Sequence, residues 1–168
     1  MNEEEQQYLW ERRHRVLHRA KLSALYHRER ERFLSFANKL VTAIAIVGGS
    51  TAFASVTAPD ILKWSGFVVA VSATVSLVFG LQDRARLHGE LAARFTLLLS
   101  QIAERGERDF GEDDIQQWES RIFQIEADEP PPLHALVRLC QNRLKEAAGD
   151  TESLVAVPFW RRWLAHIF

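Results

Sequence analysis

The chain has 168 residues, of which 47% are hydrophobic and 26% are charged, and this composition excludes wholesale disorder. Its formal net charge of -1 argues against a protein that coats nucleic acid, so no nucleic-acid partner is expected. A single cysteine, Cys140, excludes an intrachain disulfide. The sequence contains no phosphate-binding glycine loop, zinc-ligand set or nucleophile elbow. We therefore expect no enzyme, no catalytic residues and no cofactor.

Residues 1–39 are predicted to form an N-terminal cytoplasmic basic helix, because Glu3 to Asn38 contain neither Gly nor Pro. Arg28, Arg30 and Arg32 could bind anionic lipid headgroups or an anionic ligand, and both interpretations stay open. His14 and His18 have the spacing of a metal pair on a helix. They lack a third ligand in the pattern, so no metal site is expected.

Two uncharged apolar segments follow, at residues 40–58 and 64–81, separated by a predicted outer loop at 59–63. The first would span roughly 28 Å as a helix, close to the thickness of the hydrocarbon core of a bilayer. Neither segment has the polar stripe of a soluble core helix. The sequence thus predicts an all-α membrane protein, a two-span transmembrane helical hairpin with long cytoplasmic helices at both ends.

The charges that flank the two segments predict their orientation. Basic residues precede the first segment, and Arg84, Arg86 and Arg94 follow the second, whereas the loop holds only Lys63. Basic flanks remain in the cytoplasm, so both termini are expected inside. Trp64, at the outer start of the second segment, suits an interfacial anchor. Together with Arg28, Arg30 and Arg32, the residues Arg84 and Arg86 are the candidates for binding an anionic ligand or lipid.

Small residues occupy the middle of both predicted spans. Close approach of two helices in lipid needs small side chains four residues apart on one face. Such a row could pack the two spans of one chain together, or it could line a water path in an oligomer. The candidates for helix packing or pore lining are Gly48, Gly49, Ser50, Ala52, Ser72, Ser76 and Gly80.

The remaining chain is predicted to form a cytoplasmic helical domain over residues 82–149. Apolar residues at positions 115, 118, 122 and 125 repeat at coiled-coil spacing, and Cys140 falls on the buried face of a later helix. Residues 150–168 are predicted to form a linker and an amphipathic C-terminal helix, with Arg161 and Ala165 on its polar face. Trp160 and Trp163 would anchor this helix in the membrane interface. Docking of the helix into the cytoplasmic domain is the alternative.

Several stretches resemble the SLATT family of two-transmembrane effector domains from bacterial conflict systems. The similarity covers roughly Leu17 to Gly149. It is carried by LYHRERERF before the first span, VGGSTAF within it, LVFGLQDRARLHGEL at the end of the second span, and HALVRLCQNRLKEAAG in the tail.

The resemblance implies a pore-forming effector of antiphage defence in the bacterial inner membrane. Such a protein would form a homo-oligomer and permeabilise or depolarise the membrane in response to a nucleotide second messenger or a cytoplasmic sensor protein. The departure from the family is the lack of a recognisable sensor domain in this sequence. The alternative is a membrane-anchored scaffold that conducts nothing and tethers a cytoplasmic partner. Membrane lipid is an expected partner under either interpretation.

Overall fold

The computed structural model describes residues 3–54, 59–107, 109–150, 153–155 and 165. These residues form α-helices and no strand, which confirms the all-α prediction for this part of the chain. Two of the helices are long and apolar enough to cross a membrane. In chain order the helices are α1 (Glu3–Ala54), α2 (Pro59–Phe79), α3 (Leu81–Glu104), α4 (Glu112–Glu126) and α5 (His134–Ala147).

The chain divides into two compact units. We call Met1–Glu29 together with Gly89–Phe168 the core unit, and Arg30–His88 the apolar unit. Helix α1 contributes its first half to the core unit and its second half to the apolar unit.

The core unit is built on apolar faces of α1, α3 and α4. Ile115, Trp118, Ile122 and Ile125 of α4 are all buried, as their spacing predicts. Each fully buried side chain of this size contributes about 1.5–3 kcal/mol relative to an exposed one, so this cluster makes a large contribution to the stability of the unit. Its partners from the other two helices are Leu9, Val16, Ala20, Leu91, Phe95, Leu98 and Ile102.

Ion pairs join α1 to α4 along the edge of this cluster. Arg12 Nη2 lies 2.7 Å from Oε2 of Glu119, and Arg19 pairs with Glu126 through both carboxylate oxygens. Arg13 is buried and donates to the carbonyl of Gly106 at 3.1 Å. The arginines on this face of α1 therefore bind partners within the core unit.

A second, smaller cluster joins α1 to α5. Tyr26 packs with Leu136 and Cys140, and the hydroxyl of Tyr26 accepts the backbone N–H of Leu133 at 3.0 Å. Cys140 is 1% exposed, which confirms its prediction as a core residue.

Ala165 also belongs to the second cluster and is fully buried. Its predicted position on the water-facing side of an amphipathic helix is therefore wrong, because a small methyl group fits against the apolar surface around Tyr26. Trp160, Trp163 and the other residues of the predicted C-terminal helix lie outside the described residues.

The boundaries of the apolar segments differ from the prediction. Residues 59–63 are helical and form the start of α2, so the predicted outer loop is wrong at these positions. Proline suits the first turn of a helix, where a missing N–H costs nothing, and the carboxylate of Asp60 in that turn interacts favourably with the positive end of the helix dipole.

The second segment also ends earlier than predicted. Helix α2 stops at Phe79, and Gly80 has a φ of +52°, a left-handed conformation that separates α2 from α3. The backbone hydrogen bonds nevertheless keep the helical i to i−4 pattern here. The N–H of Gly80 donates to the carbonyl of Ser76, and the N–H of Arg84 donates to the carbonyl of Gly80. The predicted first span, 40–58, is helical as far as Ala54, and 55–58 fall outside the described residues.

Candidate functional site

Helices α1 and α2 approach each other closely at Gly48. A β-carbon placed on Gly48 would lie 3.2 Å from Cγ2 of Val69, 3.4 Å from Cγ1 of Val68 and 3.5 Å from the carbonyl oxygen of Ser65. The last of these is a backbone atom, so the two helices meet nearly backbone to backbone. This is the kind of contact for which small residues are selected in lipid.

In the apolar unit the polarity is inverted relative to a soluble protein, with polar side chains buried and large apolar side chains exposed. Ser65 and Ser72 are buried, while large apolar residues of the same helix are exposed, Leu77 by 85% and Val78 by 68%. On α1, Phe53 is 86% exposed. Only 11% of the apolar window of either helix is buried within the chain, so neither behaves as the core helix of a soluble protein.

Hydroxyl groups on these helices are satisfied locally. Thr51 Oγ1 donates to the carbonyl of Val47 at 2.9 Å, and Thr74 Oγ1 donates to the carbonyl of Ala70 at 2.8 Å. These donors need no water, because each bonds to the preceding turn of its own helix. Both hydroxyls can therefore face an apolar surrounding at little cost.

The seven small residues predicted to pack helices or line a pore fall into two groups. Gly48 and Ser72 are buried, and Ala52, Ser76 and Gly80 are half-buried within the chain. Gly49 and Ser50 are exposed, and a β-carbon on Gly49 would meet nothing within 4 Å. The first group thus lies on covered surface of the isolated chain, and the second remains available to another molecule.

A groove of about 620 Å³ opens between α1 and α2 on one side of the Gly48 contact. Its walls are almost entirely apolar and include Ile44, Val47, Ile61 and Val68. Trp64 borders the groove, is 71% exposed, and meets Phe67 edge to face with ring centroids 6.2 Å apart. An exposed indole combines an apolar ring system with one N–H donor, so it is suited to the headgroup level of a membrane, as predicted for Trp64.

The five basic candidates are divided between the units. Arg28 lies in the core unit, and Arg30, Arg32, Arg84 and Arg86 lie in the apolar unit. Arg30 is half-buried, and the other four side chains are exposed. Their accessibility is compatible with binding an anion, and their role remains a prediction.

Sequence reasoning missed a buried histidine in the core unit. His27 is fully buried, with Nε2 3.0 Å from Oε1 of Glu129 and its ring stacked on Phe95 at a centroid distance of 5.9 Å. The sequence does carry a signal for this burial, because position 27 lies seven residues after the buried Ala20 and continues the same helical face. The basic residues around His27 conceal that periodicity.

The only cysteine has the chemistry of a core residue. Burial raises the pKa of the Cys140 thiol from 9.0 to about 11, with Glu29 adding to this effect and Arg143 opposing it. A thiol with so high a pKa stays protonated at neutral pH, where only the thiolate is a good nucleophile.

No protein-family model matches the chain, and no curated protein or solved structure has detectable similarity to it. A functional conclusion therefore depends on the geometry of the two units. The central element of that geometry is the contact between α1 and α2 within an outward-facing apolar surface.

Proposed function

We propose that this protein is a homo-oligomeric effector of the bacterial inner membrane that permeabilises or depolarises the membrane when it is triggered. The observation that carries the membrane part of the proposal is the inverted polarity of the apolar unit. Ser65 and Ser72 are covered, whereas Phe53, Leu77 and Val78 are exposed. Water would penalise this arrangement, and lipid hydrocarbon favours it.

The length of the helices supports a membrane-spanning hairpin. Helix α2 has 21 residues, and at 1.5 Å per residue it extends about 31 Å, enough for the hydrocarbon core of a bilayer. The basic side chains Arg32 and Lys39 before the apolar part of α1, and Arg84 and Arg86 after α2, favour a topology with both termini in the cytoplasm.

Exposed small residues support self-association. Gly49 and Ser50 lie on the uncovered side of α1, and Gly66 and Ala70 lie on the uncovered side of α2. Lipid contact alone gives no reason for small side chains at these positions, whereas helix contacts in membranes use them. We infer that these faces bind a second copy of the chain.

The effector activity and its setting rest on the resemblance to the SLATT family. That resemblance favours a trigger by a nucleotide second messenger or by a cytoplasmic sensor protein, acting on the core unit or on Arg28, Arg30, Arg32, Arg84 and Arg86. A ligand can open the assembly only if it binds the open state more tightly than the closed state.

Membrane potential in cells tests the proposal. A voltage-sensitive dye would be read during the first minutes of induced expression of the native protein, a Gly49→Leu variant and a Val78→Leu control. Both leucines project from exposed surface, but only Gly49 lies in the proposed contact between copies. We expect the native protein and the control to lower the potential, and the Gly49→Leu variant to preserve it at an equal membrane level.

A non-conducting scaffold is the second candidate, and the separate core unit is the observation that favours it. This unit has its own buried cluster and presents exposed apolar side chains, including Leu97 at 55% and Phe123 at 60%. A scaffold would leave the membrane potential unchanged in all three strains, with or without the trigger. If the membrane potential and the growth of the cells both stayed normal, the scaffold would therefore become the supported function and the effector would be rejected.

A further inference from the structure

Helix α1 carries a second basic face in the core unit, and its side chains have no acidic partner among the described residues. His14, His18 and Lys21 follow each other at helical spacings of four and three, so they share one face. None of the three makes a side-chain hydrogen bond or ion pair with any residue that the structure describes. Arg12 and Arg19 lie on a different face of α1 and contrast with this, since both pair with glutamates of α4.

A groove of about 430 Å³ runs along this face, between α1 and the C-terminal end of α5. His14, His18 and Lys21 line one wall, and Lys145 of α5 lines the other. The apolar side chains of Leu17 and Leu144, both half-buried, form part of the lining between them. The volume is within the range of small-molecule sites.

The carboxylate of Asp150 and the last carbonyl groups of α5, which lie beside the groove, already accept hydrogen bonds from within the chain. The backbone N–H of Ser153 donates to Oδ1 of Asp150 at 3.2 Å, and the hydroxyl of Ser153 donates to Oδ2. The last carbonyls of α5 accept the N–H groups of Ala148, Gly149 and Asp150, with Gly149 at a φ of +81°. This closed helix end presents fewer bare carbonyl oxygens to a ligand than an open one would.

The lining of the groove carries a net positive charge. Lys21 and Lys145 each contribute a positive charge and Asp150 a negative one, which leaves one net positive charge. The imidazoles of His14 and His18 add ring N–H groups that can donate hydrogen bonds to an anion.

We propose that this groove binds a phosphate-bearing anion, with His14, His18 and Lys21 on one wall and Lys145 on the other. A phosphate group has several acceptor oxygens, and it can accept from both walls at once. The ammonium of Lys145 donates to the carbonyl of Ser153 at 2.9 Å, and an ammonium has further N–H donors for a ligand. The apolar lining between the walls suits the organic part of a phosphate ester. The site does not depend on the proposed function, because binding can be measured without any assay of conduction.

Calorimetric titration of the full-length protein in neutral detergent micelles with phenyl phosphate tests the site. We expect Lys21→Gln to weaken binding by about threefold or more, since a single exposed ion pair contributes up to about a factor of five. Arg15→Gln is the matched control, because Arg15 is an exposed cation on the same helix that does not line the groove. It should bind the probe as the native protein does.

The histidines are tested by substitution at constant pH. A variant with both His14→Ala and His18→Ala loses two imidazole groups from one wall of the groove, so it should bind phenyl phosphate more weakly than the native protein. Equal affinity of the native protein and Lys21→Gln, or an equal loss in Arg15→Gln, would overturn the proposal.

The phosphate group could belong to a lipid headgroup or to a free phosphate ester, and titrations in two lipid compositions distinguish these sources. The titration would be repeated in nanodiscs of phosphatidylcholine and in nanodiscs with added phosphatidylglycerol. Weaker binding of phenyl phosphate in the anionic nanodiscs, absent in Lys21→Gln, assigns the groove to a lipid headgroup. Unchanged binding assigns it to a free phosphate ester.

Discussion

Gly48 faces Val69 so closely that a methyl group on the glycine would lie 3.2 Å from Cγ2 of the valine. The adjacent Gly49 points into open space. Two neighbouring glycines of one helix therefore have separate environments, one within the chain and one on its outer surface.

The first prediction uses this pair. Gly48→Leu should weaken the contact between α1 and α2, because a leucine cannot fit beside Val69 and the carbonyl of Ser65 without moving the helices apart. Gly49→Leu should leave that contact intact. Trypsin sensitivity and thermal stability in detergent would measure the difference, with a loss of about 1–3 kcal/mol expected only for Gly48→Leu. Equal stability of the two variants would contradict the observed packing.

The second prediction concerns the start of α5. Tyr26→Phe removes the hydroxyl that accepts the N–H of Leu133, and that donor then loses its partner. An unsatisfied buried donor costs about 1–3 kcal/mol, and Leu133 is half-buried, so urea unfolding followed by tryptophan fluorescence should show a loss near the lower end of this range. Tyr8→Phe is the control, because Tyr8 is 54% exposed. A loss of the same size in both variants would count against a specific role of the Tyr26 hydroxyl.

The third prediction is an alkaline loss of stability that depends on Cys140. The thiol has a pKa of about 11 in the folded chain and an ordinary value of 9.0, so folding favours its protonated form. This contribution is fully present below about pH 9 and disappears as the pH rises through about 11. Each unit of pKa difference corresponds to about 1.4 kcal/mol, so the difference of about two units gives at most about 3 kcal/mol.

Comparison with Cys140→Ala isolates this contribution from those of all other groups in the chain. The free energy of unfolding of the native protein should fall more steeply between about pH 9 and pH 11 than that of the variant. Parallel curves would show that Cys140 is not shielded from water in the folded protein.

The fourth prediction concerns the break between α2 and α3. Gly80 has a φ of +52°, and a β-carbon added to it would meet nothing within 4 Å, so strain rather than crowding sets the cost of substitution. Gly80→Ala should destabilise the protein by about 1–2 kcal/mol. Gly80→Asn should be milder, since asparagine adopts left-handed conformations more readily. Thermal unfolding in detergent would rank the three proteins, and a more stable alanine variant would indicate that α2 and α3 can form one straight helix.

Much of the fold follows from periodicity in the sequence. The buried face of α4 is readable from its spacings because Ile115, Trp118, Ile122 and Ile125 all face the core. Leu87 of α3 shows the limit, since it lies one helical turn before the buried Leu91 on the same face and yet is 37% exposed. Periodicity predicts which face of a helix is apolar, but it does not predict how far along the helix a partner covers that face.

The contact between α1 and α2 is predictable only in part. Small residues indicate close packing, but Gly48 and Gly49 are chemically identical, and only the three-dimensional structure separates the covered one from the exposed one. The start of α2 at Pro59 escapes prediction because proline suits both the end of one helix and the first turn of the next. The burial of Ala165 arises from contacts far apart in sequence, which no local pattern reports.

The core unit also imposes an order on biosynthesis. Val16 emerges from the ribosome long before Ile122, yet the two belong to one buried cluster, and both apolar segments are synthesised between them. At typical rates of synthesis the delay is roughly 5 to 20 seconds. Under the proposed membrane topology, the first half of α1 remains without its partners through that interval while the apolar helices enter lipid. Membrane insertion would then be the earlier event, and completion of the core unit the later one.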